Sequence, residues 1–449
     1  MSDYQLIVIG AGPGGYTAAL RAAKLGLKTA VIENSHVGGI CLNRGCIPTK
    51  SLLHSAALLT AARNGEAFGV TAENITFDFS AMHAHKNQVI EQLRTGILQL
   101  FQRAEIDYLQ GTASLIGTGQ VRVVGKGAPH EYTADHILIA TGSVPTKPPI
   151  PGFNLPCVLT SDDLLSPNAR MYRSLIIIGG GVVGVEMASI YAALGCKVTI
   201  LEAMSRILPT MEREVSQNMT MILKKRGVQV LSSCTVDKVA SDATVYYQSK
   251  EQAATVSAEA ILCAIGRRPN TDGFTGLNME HGRIIVNADF ETSLPNVYAV
   301  GDVTSKIQLA HVATAQGIAA IEHIAGVEAC TDLNAVPSCI YTSPEIACVG
   351  LTADEAKERG RSVKVGKALM SANAKTVIEN GERGFIKIVA DADSGVILGA
   401  QLMCEHATEL ISELTSAVVN KLTVSKLRRV VRPHPTFGET VFDALDALK

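Results

Sequence analysis

The sequence predicts an α/β chain. It reads as two Rossmann-like dinucleotide-binding domains followed by a C-terminal α+β domain. Three observations carry this. A G-x-G-x-x-G turn stands twice between an apolar run and a helical stretch, as Gly10-Ala-Gly12-Pro-Gly-Gly15 and as Gly179-Gly-Gly181-Val-Val-Gly184. An acidic residue ends the next apolar run each time, Glu33 in the first unit and Glu202 in the second. From Val336 onward no such glycine motif recurs, and strand-like runs such as 384–389 and 396–403 alternate with helices.

Composition sets the bounds. A chain of 449 residues has room for about three domains, and 47% hydrophobic content supplies proper cores. The net charge of −2 gives no electrostatic reason to expect nucleic acid or an anionic membrane. No apolar run approaches the roughly 20 residues that span a bilayer. Five residues precede the run Leu6–Ile9, which leaves no room for a signal or transit peptide. Ten scattered cysteines do not make a secreted disulfide framework. Cys196 and Cys263 read as reduced and buried. The expectation is a soluble, cytoplasmic protein with one special cysteine pair.

The first unit begins with Leu6-Ile-Val-Ile9, a continuous apolar run of the kind found in a parallel strand buried on both faces. Gly10, Gly12 and Gly15 suit a tight turn, the approach of a pyrophosphate and close helix–strand packing. An alanine-rich helix follows to about Leu25, and its N-terminus favours phosphate. Glu33 is placed to accept hydrogen bonds from a ribose. With strand, helix and acid all in place, the glycine motif is a strong signal.

The stretch Gly38-Gly-Ile-Cys-Leu-Asn-Arg-Gly-Cys-Ile-Pro-Thr-Lys50 comes next and carries Cys41 and Cys46. In an ideal helix, positions i and i+5 lie roughly 8–9 Å apart at Cα, and a disulfide tolerates at most about 7 Å. A bond between the two therefore requires a distorted turn. Gly45 supplies backbone freedom and Pro48 a constraint just after it. A strained disulfide is the more easily reduced. An arbitrary CxxxxC reads as two buried thiols; beside a dinucleotide turn it reads as a redox pair. No second Cys or His pair stands at zinc-ligand spacing, so no metal is expected.

Helices are predicted from Lys50 to about Arg63 and from about Ser80 to Arg103. His83 and His85 fall two apart on the latter, pointing to different faces, and read as solvated. Short β-like runs fill 106–139, and His136–Gly142 reads as a strand entering a glycine turn. Pro145, Pro148, Pro149 and Pro151 form a stiff connector where a domain boundary belongs. In the second unit, Glu202 favours a free 2′-hydroxyl, hence NAD over NADP, although Arg206 lies near enough to weaken that preference. Ala264-Ile-Gly-Arg-Arg-Pro-Asn270 closes the unit. A buried strand then ends at Asp302, which suits equally a helix cap and a cofactor sugar. The tail holds His434 between two prolines with Glu439 five residues on. A His oriented by a carboxylate is the usual form of a general base, but the pair taken alone reads as surface residues.

Together these residues resemble the FAD-dependent pyridine nucleotide–disulfide oxidoreductases, over essentially the whole chain. Gly38–Lys50 and His434-Pro-Thr-Phe-Gly-Glu439 are the most specific signals. The resemblance is strongest to the members that oxidise protein-bound dihydrolipoamide in 2-oxo acid dehydrogenase and glycine-cleavage complexes. It implies an FAD-binding domain over 1–150, an NAD-binding domain over 151–271, a central segment over 272–334 completing the FAD site, and a dimerisation domain over 335–449. It implies that Gly10, Gly12, Gly15 and Glu33 hold FAD, that Thr141-Gly142 is the second flavin motif, and that Asp302 binds the ribityl chain. Lys50 would sit near the flavin, paired with Glu186. Cys46 would be the charge-transfer thiol and Cys41 the interchange thiol of a Cys41–Cys46 redox disulfide. Gly179, Gly181, Gly184 and Glu202 would bind NAD. His434 and Glu439 would reach the thiols from the partner subunit of a homodimer, and lipoyl domains would be the partners. Four residues depart from the family's usual pattern: Ile40 stands where a small polar residue is usual, Arg44 where an apolar one is, Gln316 where Glu is common and Arg432 where many lipoyl enzymes have an additional His. Glutathione-type and mercuric reductases share the fold. The former carry arginines near the position of Glu202, and the latter a terminal cysteine pair that this tail lacks. A non-catalytic docking flavoprotein is the remaining alternative.

Overall fold

The computed structural model describes residues 2–250, 252–328 and 331–448. The chain divides into two compact units. The first gathers 1–148, 159–171 and 265–333; the second gathers 149–158, 172–264 and 334–449.

The first unit is built on a sheet containing β1 (Tyr4–Ile9), β2 (Thr29–Glu33), β3 (Asp107–Gln110), β4 (Thr112–Gly117), β5 (Gln120–Val124) and β6 (His130–Ile139). Their order is β3-β2-β1-β6-β5-β4. β1, β2 and β3 run parallel, and β1 pairs with β6 in parallel through Ile7–Ile137 and Ile9–Ile139. Strand Val297–Ala299 returns from far along the chain to pair with the other edge of β6. Leu6 to Ile9 are all but inaccessible to solvent, which is why β1 reads as an unbroken apolar run. Helix α1 (Pro13–Lys24) starts with proline in its first turn and turns Ala18, Ala19 and Ala22 inward. Those small side chains allow close packing on helix Ala310–Ile324, where a Cβ on Gly317 would stand 2.4 Å from the Gly14 carbonyl oxygen. Across that contact Arg21 pairs with the fully buried Glu322 at 2.6 Å.

Two further helices follow, α2 (Gly39–Arg44) and α3 (Cys46–Arg63), and then α4 (Phe79–Arg103). Asp78 caps α4 by accepting from the backbone N–H groups of Ser80 and Ala81. The inward stripe of α4 is His83, Lys86, Ile90, Ile97 and Phe101, a helical spacing. This corrects the expectation that both histidines are solvated. His85 is exposed, but His83 is buried and packs its ring on Phe79 at 4.5 Å. Two-residue spacing does put the pair on different faces; one of those faces is the core. Lys86 is fully buried beside it and donates to the Leu165 carbonyl.

In the second unit a parallel sheet runs in the order Gln229–Ser232, Lys197–Glu202, Ser174–Ile178 and Ala260–Cys263. Helix Val182–Ala193 follows the second glycine turn. An antiparallel layer, Cys234–Val239, Thr244–Ser249 and Gln252–Ser257, packs nearby. The C-terminal part is a five-stranded antiparallel sheet that orders Ser338–Ile340, Glu345–Gly350, Ile397–Cys404, Phe385–Asp391 and Val363–Leu369. Helices Ala407–Val419 and Glu439–Asp446 close its core through Ile411, Leu414, Val441 and Leu445. Among the described residues no helix is long and apolar enough to cross a membrane.

His83 gives a pH test. Burial, with the Lys86 charge second, pushes its imidazole down from the ordinary 6.5 to about 4. Its neutral form thus contributes stability fully present above pH 6.5 and lost as pH falls toward 4, since the unfolded chain takes up the proton first. We expect His83→Leu to reduce the acid-induced loss between pH 7 and 4.5 by roughly 2–3 kcal/mol, read from urea midpoints. An identical acid loss in the two proteins would assign it to other groups.

Candidate active site

The first glycine turn is held by its own acid. Glu33 accepts from the Ala11 N–H at 2.9 Å and from the Ser35 N–H at 2.9 Å. The second turn repeats this: Glu202 accepts from Gly180 N–H at 2.6 Å and Met204 N–H at 2.7 Å. Each carboxylate oxygen keeps a further lone pair for a sugar hydroxyl. The glycines divide the work as the spacing predicts. A Cβ on Gly15 would fall 1.8 Å from Gly10 O, and one on Gly184 2.0 Å from Gly179 O. These positions set the packing of helix on strand. The middle glycines instead face open space: around Gly181 nothing lies within 4 Å, and around Gly12 only the Gly39 Cα at 3.8 Å. Both are helix N-caps without a side-chain cap. An uncapped, open helix N-terminus fits a pyrophosphate, so the residues present fit a dinucleotide at each turn.

The cysteine stretch is docked on the first turn. Gly38 N–H donates to Ala11 O at 2.7 Å, and a Cβ on Gly39 would stand 2.5 Å from Gly12 Cα. Helix α2 then carries Cys41, the backbone breaks at Gly45 (φ −143°, ψ −110°), and Cys46 opens α3. The break removes the regular i, i+5 separation and lets the two sulfurs meet. Both are unbonded thiols in this structure, and Cys41 hydrogen bonds to Cys46. That bond, and burial after it, hold the Cys41 thiol far above the ordinary range. Lys50, one turn beyond Cys46 on α3, acts in the opposite direction on Cys41.

The remaining residues of the first unit converge on a second turn. Thr141 Oγ1 donates to Asn270 O at 2.7 Å, and Asn270 N–H returns to Gly142 O at 2.9 Å. Asp302 lies in the turn Gly301–Val303. It does not cap the following helix, whose N-cap is Leu309. Its Oδ2 accepts from Ser143 Oγ at 2.5 Å. Gln316 takes up the Gly301 N–H at 2.8 Å. An amide oxygen serves as acceptor there, and the departure from Glu leaves that turn intact.

In the second unit Glu186 is buried on helix Val182–Ala193 and accepts from Tyr341 N–H at 3.0 Å. Arg206 donates to the carbonyls of Pro209 and Met211 at 2.9 and 3.0 Å. This ties it to its own loop. At the C-terminus the helix starting at Glu439 does fold back on the histidine: His434 Nδ1 lies 2.9 Å from Glu439 Oε1. Glu439 Oε2 accepts from Thr436 N–H at 2.9 Å. Those two bonds, the backbone one first, hold the Glu439 carboxyl below its ordinary range. With Nδ1 donating to the carboxylate, the neutral ring keeps its lone pair at Nε2 on a largely exposed side chain. Arg432 pairs with Glu413. Among the described residues no cluster of three or more His, Cys, Asp or Glu is set to hold a metal.

With this geometry in place, the comparisons decide the family. A family model described as "Pyridine nucleotide-disulphide oxidoreductase" matches residues 4–317, and its dimerisation domain matches 336–445. The chain belongs to the pyridine nucleotide-disulphide oxidoreductases. Similar relatives include a dihydrolipoyl dehydrogenase of Bacillus subtilis (strain 168), 39% identical over 99% of this chain and 97% of that one. Another, from Thermus scotoductus, is 40% identical over 100% of this chain and 98% of that one. Among solved structures, the HOCl-induced flavoprotein disulfide reductase RclA from Escherichia coli superposes with a TM-score of 0.88 at 31% identity, over 99% of this chain and 100% of that one. Like its family, this oxidoreductase uses FAD and NAD(H).

Three residues of this site escaped sequence reasoning: Ser143, Asp162 and Arg267. Arg267 donates to Ser143 Oγ and Ser143 O, each at 2.8 Å. Asp162 faces Arg44 at 3.5 Å. The Arg-Arg-Pro-Asn run was the available signal, since it closes a strand beside Thr141-Gly142.

The thiol assignment predicts opposite spectra for two variants. Cys46→Ser should bind FAD and lose the long-wavelength thiolate–flavin absorbance on two-electron reduction. Cys41→Ser should show that absorbance before any reduction. The reverse pattern would exchange the two roles.

Proposed function

We propose that this enzyme oxidises protein-bound dihydrolipoamide to lipoamide and reduces NAD+, as the shared component of 2-oxo acid dehydrogenase or glycine-cleavage complexes. One observation carries the reading: a hydrogen-bonded thiol pair at a helix break, docked directly on a nucleotide turn. Full-length relatives named dihydrolipoyl dehydrogenase support the choice of substrate. Residues 1–150 and 272–334 are assigned to FAD, 151–271 to NAD and 335–449 to dimerisation in a homodimer, whose natural partners are lipoyl domains.

Bound FAD would supply two-electron chemistry between the thiols and NAD+. Gly10, Gly12, Gly15, Glu33, Thr141, Gly142 and Asp302 would hold it; Gly179, Gly181, Gly184 and Glu202 would hold NAD. The protein's own steps follow from sulfur chemistry. The Nε2 lone pair of His434 takes a proton from the dithiol, because only the thiolate is nucleophilic. The substrate thiolate attacks Cys41 Sγ of the oxidised pair, forming a mixed disulfide, and Cys46 leaves as thiolate. The second substrate sulfur then attacks the first, closing lipoamide and returning Cys41 as thiol. The substrate loses two electrons and the cysteine pair gains them. Lys50, paired with Glu186, would supply a fixed positive charge beside the flavin, and Glu439 holds the imidazole in register.

Two measurements test this. The first compares cofactors and disulfides. The carboxylate of Glu202 should accept a 2′-hydroxyl and repel a 2′-phosphate, giving NADH at least a 100-fold advantage over NADPH in kcat/KM, about 3 kcal/mol. Lipoamide should be reduced far faster than glutathione disulfide or Hg2+. Equal rates with NADPH, or no lipoamide reduction by FAD-loaded protein, would overturn the reading. The second pairs a Cys41→Ser chain with a His434→Gln chain. If His434 serves the partner's thiols, one site loses both groups and the other keeps both, so the mixed dimer regains about half of wild-type activity. A fully flavinated mixed dimer no more active than its parents would refute the shared site.

A further inference from the structure

Helix α2, which carries Cys41, is only six residues long. A helix that short has no stability of its own. While the cysteine pair is a disulfide, a covalent bond ties α2 to the start of α3. Once the pair is reduced that tie is gone, and non-covalent contacts alone keep Cys41 beside Cys46. Three successive residues at the end of α2 supply such contacts, each to a different neighbour. Leu42 is buried in the core that also holds Ile90, Ile97 and Phe101 of α4. Asn43 turns its amide back on the start of its own helix, where Nδ2 donates to Val37 O at 3.0 Å and to Gly39 O at 2.7 Å. The Oδ1 of the same amide accepts from Arg94 Nε on α4 at 2.5 Å. Arg44 faces Asp162 at 3.5 Å, on helix α5 (Ser161–Leu165). Helix α5 is held to α4 in turn, because Lys86 donates to the Leu165 carbonyl. The 25-residue α4 thus grips α2 directly through Arg94 and by way of α5 through Lys86.

We propose that Asn43 and Arg94 are positioning residues for the thiol pair: their bond splints α2 against α4, so that Cys41 stays in register with Cys46 while the disulfide is open. One planar amide does this at both of its ends. Its nitrogen fixes the entry to α2, and its oxygen fixes α2 to a long helix. The bond from Arg94 is charge-assisted and stronger than a neutral one. The Arg94 side chain is 22% exposed, so solvent and salt screen that bond little. The Arg44–Asp162 pair is more open, with Arg44 half-exposed, and adds less. It does give the basic residue at position 44 a partner. The consequence is thermodynamic. Two sulfurs held side by side have a high effective concentration, which favours the disulfide. Loosening α2 frees the dithiol more than the cross-linked form, so it favours the dithiol and raises the reduction potential.

The inference rests on the reading of Cys41 and Cys46 as a redox pair, and its test needs neither lipoamide nor NAD. FAD-loaded protein is equilibrated without oxygen in graded ratios of reduced to oxidised dithiothreitol. The reagent gives two electrons and two protons to the protein disulfide and closes to its own cyclic disulfide. Acid quenching, alkylation and peptide mapping read the fraction of Cys41–Cys46 disulfide. Arg94→Met keeps an apolar stem and removes the donor; it should move the equilibrium about tenfold toward the dithiol, near 30 mV. Arg94→Lys, which can still donate to Asn43, should restore most of it. Arg44→Leu should shift it in the same direction by less. A purely structural role would lower the thermal midpoint and leave this equilibrium at its wild-type position. An unchanged equilibrium in Arg94→Met therefore overturns the proposal, and so does a shift that Arg94→Lys fails to reverse. If Arg94→Met does not hold FAD, the half-exposed Arg44→Leu decides: a shift toward the dithiol supports the splint, and no shift overturns it. A wild-type pair that forms no disulfide in this buffer overturns the redox reading and the inference with it. A wild-type pair that titrates beside unshifted variants overturns the inference alone.

Discussion

A carboxylate that closes a glycine turn on its own backbone is the constraint on which the rest of this protein depends. Glu33 ends β2 and reaches the Ala11 N–H on the neighbouring turn; Glu202 does the same for Gly180. A buried backbone N–H without an acceptor costs roughly 1–3 kcal/mol. The acid therefore selects one conformation of each turn. Everything that follows is referred to that conformation: Gly38 binds the carbonyl of the same Ala11, the cysteine helix starts from Gly39, and Cys46 begins the next helix after the break at Gly45. The redox pair is thus placed by a chain of backbone contacts, with few side chains committed along the way.

The two halves of the chemistry are tuned by different means. At the thiols the means are a hydrogen bond between sulfurs and burial, which raise the Cys41 thiol above its ordinary range. At the histidine the side chain is largely exposed, and orientation comes from Glu439, itself fixed by the Thr436 backbone.

Both glycine turns, the acids that follow them and the thiol pair were legible because they are local in sequence and impose strict backbone requirements. The fold-back of Glu439 onto His434 was legible as a possibility and needed a helix start at Glu439 to become a contact. His83 was misjudged because alternation along a helix says that two residues face apart and not which of them faces inward. Its neighbours Lys86, Ile90 and Ile97 carry that information, and the charged Lys86 masks it. Ser143, Asp162 and Arg267 were missed for another reason. Ser143 meets Arg267 across 124 positions and Asp302 across 159, and Asp162 faces the distant Arg44, which no short motif encodes. Of the two readings of Asp302, the structure removes the helix cap, which falls to Leu309.

The first unit is written in the chain as three separated pieces, and synthesis on a ribosome proceeds in one direction. Helix α1 emerges early, but the helix that covers its alanine face ends at Ile324, and Glu322, the acid that answers Arg21, lies 301 positions beyond that arginine. At about 5–20 residues per second, the nascent N-terminal layer waits roughly 15–60 seconds for its missing wall. During that interval the far edge of β6 also lacks strand Val297–Ala299, and open strand edges invite wrong pairings. The intervening parallel sheet of residues 174–263, contiguous in sequence, can pair its strands meanwhile. The order in which the pieces are encoded thus makes the first unit the last of the two glycine-turn folds to close, although its first strand is the first to leave the ribosome.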